Sequence, residues 1–206
     1  MKHEWRKTEK QIYLPKKIEI QTIPEYNFIC LSGHGDPNSA LFAEQIGALY
    51  ALSYALRMKV KKGEIGEPFE YTVYPLEGVW TSETDPGDGP IIKDELIYQI
   101  MIRQPDRISK EDFLAIVEPT FKKKQNPFIK EAAFIEYEEG RVLQTIHLGS
   151  YDDEPATFAK IHAFMEENEL QKNRTMGNYI HREIYLSDPR KVAPEKQKTV
   201  LRYKLN

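Results

Sequence analysis

Two stretches of this 206-residue chain follow one plan, and that repetition limits the fold more than any other feature. "ICLSGHGDPNS" and "IHLGSYDDEP" are both apolar strand ends that run into a small-residue, acidic, Pro-containing turn and launch a helix. Each helix is then followed by a pair of strands. One such unit could not bury its sheet face alone, so two copies belong side by side in one domain. The expectation is a single domain over residues 1–206, with pseudo-repeats over about 18–104 and 141–205. The fold class is α+β: a tandem strand–helix–strand–strand repeat with a largely antiparallel sheet and helices on one face.

Hydrophobic patterning sets the elements in order. A strand opens at Ile18 and ends in a Gly-rich turn, and a helix follows over roughly 39–61, with Asn38 or Ser39 as its N-cap. Its apolar stripe holds Leu41, Phe42, Ile46, Leu49, Tyr50 and Leu56. Strands over 70–81 and 95–104 flank the polar loop "SETDPGDGP". A second helix, about 109–124, begins at Ser109 with Glu111 and Asp112 in its first turn, as the helix dipole favours. In the second half, two strands are expected around the turn "EEGR". The helix "ATFAKIHAFMEENEL" comes next, with Phe158, Ile161, Phe164 and Met165 inward, and strands over 179–187 and 198–205 close the chain. Residues 1–17 are polar and carry no helix-turn-helix pattern.

Composition removes several function classes. No apolar run approaches the roughly 18 residues that a membrane span needs, and the N-terminus lacks the apolar core of a secretion signal. A single cysteine, Cys30, excludes an intramolecular disulfide and fits a reducing cytoplasm. Lying in an apolar run, Cys30 reads as buried and inert. A net charge of -3 argues against a direct nucleic-acid surface. The five histidines show no close pair at ligand spacing, so neither a metal nor a cofactor is expected. "GHG" at Gly33–Gly35 lacks the third glycine of a dinucleotide loop, since Asn38 occupies that place. No nucleophile elbow or Walker A sequence is present.

What remains is a set of polar groups on strands near aromatic rings. Glu183 and Tyr185 lie in "HREIYLSDP", Tyr137 in "FIEYEEG", Tyr71, Tyr74 and Trp80 in "EYTVYPLEGVW", and Met101 in "IYQIMIRQ". Glu183 sits mid-strand despite its low strand propensity. Strand alternation puts Ile184 and Leu186 on one side and Glu183 and Tyr185 on the other, so Glu183 is expected to face away from the helix layer. A carboxylate among aromatic rings attracts a cationic or polarised planar ligand. With a tyrosine hydroxyl opposite, it also serves as a general base. Local chemistry alone leaves an ordinary solvated strand residue as the competing reading.

Taken in order, "GHGDPN", "LYALSYALR", "YPLEGVW", "MIRQPD" and "HREIYLSDPRK" resemble the stand-alone GyrI-like small-molecule-binding proteins, relatives of the effector-binding domains of AraC- and MerR-type regulators. The resemblance spans about residues 18–205. It implies the tandem repeat built around a central ligand cleft, with Glu183 as the cleft carboxylate and Trp80, Tyr74, Tyr185, Met101 and Tyr71 as ligand-binding residues. Some stand-alone members are similar to hydrolases of spirocyclopropyl DNA-alkylating compounds. That likeness implies Glu183 as general base and Tyr137 as proton donor or orienter. The alternative it implies is a non-catalytic protein that sequesters lipophilic or aromatic drugs, or binds a protein partner such as gyrase.

Overall fold

Ser39, at the end of the first acidic turn, accepts a hydrogen bond from the Phe42 amide and so starts the longest helix where the sequence places it. The computed structural model describes residues 2–84 and 92–206, so most of the "SETDPGDGP" loop lies outside the described residues. Two one-turn helices, α1 (Trp5–Thr8) and α2 (Lys10–Tyr13), precede β1 (Glu19–His34), α3 (Ala40–Lys61), β2 (Leu76–Ser82) and β3 (Leu96–Gln104). Then follow α4 (Lys110–Lys124), α5 (Phe128–Glu131), β4 (Ala133–Leu148), α6 (Glu154–Glu167), β5 (Lys172–Asn173), β6 (His181–Tyr185) and β7 (Lys198–Leu205). The order β1–α3–β2–β3 recurs as β4–α6–β6–β7, with the short β5 inserted. The class is α+β with antiparallel pairing. No described helix is long and apolar enough to cross a membrane.

The chain divides into two compact units. The first comprises Met1–Glu4, Tyr26–Leu76 and Thr81–Tyr137; the second comprises Trp5–Glu25, Glu77–Trp80 and Glu138–Asn206. In the first, β1 pairs antiparallel with β3 from Asn27↔Gln104 to His34↔Ile97. Phe42, Gln45, Leu49, Leu52 and Leu56 form the buried face of α3, while Leu41 lies outside it, 49% exposed. Buried polar contacts fix that face against β3: the Tyr98 hydroxyl donates to Gln45 Oε1 at 2.9 Å, and Gln104 Nε2 to Ser53 Oγ at 3.0 Å. A capping box of Ser109 and Asp112 starts α4. Cys30 is buried opposite Met101, and burial pushes its thiol up to about 11, which keeps it inert.

In the second unit β7 is the central strand, pairing antiparallel with β4, β5 and β6. The expected turn at "EEGR" is absent: β4 runs as one strand from Ala133 to Leu148. Gly140 takes a φ of 73° inside it, a kink that L-residues adopt at a cost and that imitates a turn in the sequence. Leu143, Leu201, Tyr203 and Leu205 pack with Ile161 and Met165 of α6, and Phe158 and Phe164 flank this cluster. Trp5 and Tyr13 of the N-terminal segment are both buried, with ring centroids 5.0 Å apart.

Register corrects one expectation. Glu183 stands directly opposite Leu201, a residue of the cluster under α6, so Glu183 shares the helix-covered face instead of turning away from it. The alternation itself holds, for Arg182 and Ile184 take the other face. That face is also buried, by ion pairs and the N-terminal segment. Arg202 donates to the Ile12 carbonyl, and Gln144 to that of Gln11. The apolar Ile184 therefore marks a second interior and not the helix side.

Candidate functional site

Three side chains of β6 in alternate positions, His181, Glu183 and Tyr185, project from one face of the strand. His181 Nε2 lies 2.8 Å from Glu183 Oε1, and the Tyr185 hydroxyl donates to Glu183 Oε2 at 2.7 Å. The Tyr185 oxygen in turn accepts the indole N–H of Trp80 at 3.0 Å. Trp80, Tyr185 and Glu183 thus form one hydrogen-bonded chain ending on a carboxylate that is only 13% exposed. Both carboxylate oxygens have a hydrogen-bond partner, as buried polar atoms require.

Backbone geometry makes the chain possible. The Ile180 amide donates to the Trp80 carbonyl at 2.8 Å, which sets β2 beside the start of β6. Gly78 lets the indole fold back: a Cβ there would stand 2.7 Å from Trp80 Nε1 and 3.2 Å from the Tyr185 oxygen.

Aromatic rings surround the carboxylate. Phe158 of α6 meets His181 edge-on at 5.0 Å, and Tyr203 lies 6.1 Å from the same imidazole. Tyr151, 41% exposed, meets Tyr185 edge-on at 5.8 Å. Burial, and then the Glu183 charge, pushes the phenols of Tyr151 and Tyr203 up to about 12 and that of Tyr185 well above its ordinary range. All three remain protonated donors at neutral pH. Beside them, burial and then the Glu183 charge raise Glu154 to about 10, so it carries its proton at neutral pH.

A buried ion cluster backs the same strand. Arg182 donates to Glu139 Oε1 and Glu77 Oε2, both at 2.9 Å. Arg202 donates to Glu139 Oε2 at 2.9 Å and to Gln144 Oε1 at 2.8 Å. Burial pushes both glutamates up. In Glu77 it outweighs the nearby arginines, so the carboxyl stays raised; in Glu139, bonded directly to two guanidinium groups, the positive charge wins and holds it at about 2. Arg182 and Glu183 are sequence neighbours, so this cluster anchors the strand that presents the site.

Of the sequence-predicted residues, the structure brings together Glu183, Tyr185 and Trp80 in the second unit. Tyr137, Tyr71, Tyr74 and Met101 fall in the first. There Tyr74 is buried, its hydroxyl 3.2 Å from His3 Nε2 and its ring 4.5 Å from the Arg103 guanidinium. Tyr71 stacks on Phe69, Met101 is fully buried, and Tyr137 is half-buried. Sequence reasoning missed His181, whose i, i+2 spacing to Glu183 was a usable signal. It also missed Tyr151 and Glu154, which read only as the acidic turn before a helix.

The GyrI-like small molecule binding domain matches residues 16–204. The chain belongs to the GyrI-like small-molecule-binding family. A Listeria innocua protein described as a hydrolase shares 34% identity with this GyrI-like chain, covering 99% of it and 100% of its own length at a TM-score of 0.87. A second structure from Listeria innocua, described as an uncharacterized conserved protein, matches with the same figures. The C-terminal domain of EcmrR, at 13% identity and a TM-score of 0.52 over 95% of this chain and 98% of that one, shares the fold. No curated protein matches the chain.

Proposed function

We propose that this GyrI-like protein binds lipophilic, aromatic small molecules and hydrolyses reactive cyclopropanoids, with Glu183 as general base. The observation that carries this reading is the Glu183 carboxylate, 13% exposed, held at both oxygens by His181 and Tyr185 among aromatic rings. Aromatic walls suit a planar apolar ligand. A fixed carboxylate suits removal of a proton from water as the water oxygen attacks a strained ring carbon. Tyr137, the proton donor that family likeness implies, lies in the first unit, so Glu183 alone carries this reading. The hydrolase description of the 34% identical Listeria protein supports the reaction class.

The first experiment is incubation of the protein with a cyclopropylindole carrying a conjugated carbonyl, followed by mass spectrometry. Gain of one water with loss of the cyclopropane supports the reading, and recovery of intact probe at the uncatalysed rate overturns it. The second reading is binding without turnover, as in drug sequestration. It is favoured by the saturation of both Glu183 oxygens by protein donors, which suits electrostatic recognition of a cationic ligand. Calorimetric binding with unchanged ligand recovered would select it.

A further inference from the structure

The first turn of α6 supplies a second carboxyl to the Glu183 site. Glu154 is 6% exposed, its Oε1 is buried without a hydrogen-bond partner, and so is Thr199 Oγ1. Thr199 stands directly opposite Tyr185 across the β6–β7 pair, and the Tyr185 hydroxyl is bonded to Glu183. The polar groups facing the two carboxyls are His181 and Tyr185 from β6, Thr199 and Tyr203 from β7, and Tyr151 and Asp152 from the turn before α6.

We propose that Glu154 and Glu183 form an acid–base pair, in which Glu154 holds the proton and gives it to a carbonyl oxygen of the ligand while Glu183 takes one from water. The two carboxyls differ in their hydrogen bonding. Glu183 receives donors on both oxygens, whereas Glu154 Oε1 receives none. Two neighbouring carboxyls in a buried site share one negative charge more cheaply than they carry two. Burial, the Glu183 charge and Asp152 raise Glu154 to about 10, with Thr199 opposing. Glu154 Oε1 is buried with no protein partner, and a ligand oxygen supplies an acceptor for a proton held there.

The inference rests on the proposed hydrolysis. Water loses a proton to Glu183 as its oxygen bonds to the cyclopropane CH2 carbon. The ring C–C bond breaks, and its electron pair passes through the conjugated ring to the carbonyl oxygen, which takes the Glu154 proton. The products are an alcohol and a phenol. Glu183 ends protonated and Glu154 ionised, and return of the proton restores the resting pair.

Two readouts test this. Without ligand, infrared spectra at about pH 8 are expected to carry the C=O stretch of a protonated carboxylic acid in the wild type and to lose intensity there in Glu154→Gln, Glu77 accounting for any remainder; no such band, or one of unchanged intensity in the variant, overturns the proposal. With the cyclopropylindole, Glu154→Gln is expected to lower kcat by about 100-fold or more while KM stays within about twofold. Full kcat in Glu154→Gln, with the loss appearing in Tyr137→Phe instead, overturns it. Where the wild type binds but does not hydrolyse the probe, the hydrolase reading fails by itself. The proton-donor claim is then read from the bound probe's carbonyl stretch. A downshift lost in Glu154→Leu supports donation from Glu154, and an unchanged stretch overturns it.

Discussion

Arg182 and Arg202 stand directly opposite one another across the β6–β7 pair, both buried, and Glu139 bonds to each. Like charges in that register repel unless carboxylates lie between them, so the pair is stable only as part of the cluster. Arg182→Leu leaves Glu77 without its arginine and Glu139 with one. The expected cost is about 3–5 kcal/mol by urea denaturation. A cost below about 1 kcal/mol would mean the cluster is dispensable.

Glu139 makes that stability depend on acid. Its folded value, about 2, lies below the ordinary 4.5, so its contribution is complete above about 4.5 and fades as pH falls towards 2. The size is about 3 kcal/mol. Glu77 shifts the opposite way, so the readout is the stability difference between wild type and Glu139→Gln, which should shrink over that window. A difference independent of pH would contradict the assignment.

Glu154 carries the reverse sign. Its value is raised to about 10, so the folded state retains a proton that the unfolded chain releases, and its contribution is lost as pH rises above about 4.5. Glu154→Gln removes that slope, so the variant should gain stability over the wild type progressively from about pH 6 to pH 9. Parallel curves would show Glu154 ionised in the fold.

Much of this arrangement is legible in the sequence. Ser39, and Ser109 with the acidic residues after it, mark helix starts whose caps the structure reproduces, and the repeated acidic turns announce the tandem order. Glu183, Tyr185 and Trp80 are readable as a group, and one hydrogen-bonded chain joins them. The side that Glu183 faces is not. Ile184, being apolar, points to the helix layer, yet the interior it enters is built from Arg182, Arg202, Glu77 and Glu139, residues that look solvated in a sequence. The setting of Glu154 is hidden for a related reason. An acid in the first turn of a helix normally serves the helix dipole, and only register and burial reveal its second setting.

Gly78 allows a direct test of the Trp80–Tyr185 contact. In Gly78→Ala the new Cβ collides with the indole nitrogen, so the bond to Tyr185 should break at a cost of about 1–3 kcal/mol. In a Trp5→Phe background, Trp80 fluorescence is expected to change. An unaltered spectrum with unaltered stability would place the indole elsewhere.

The base role of Glu183 is the central claim, and Glu183→Gln tests it with little change of shape. The amide introduced there keeps one acceptor for its neighbours but cannot take a proton from water. Binding of the cyclopropylindole is expected to persist while kcat falls by about 100-fold or more. Equal turnover in wild type and variant would contradict the account.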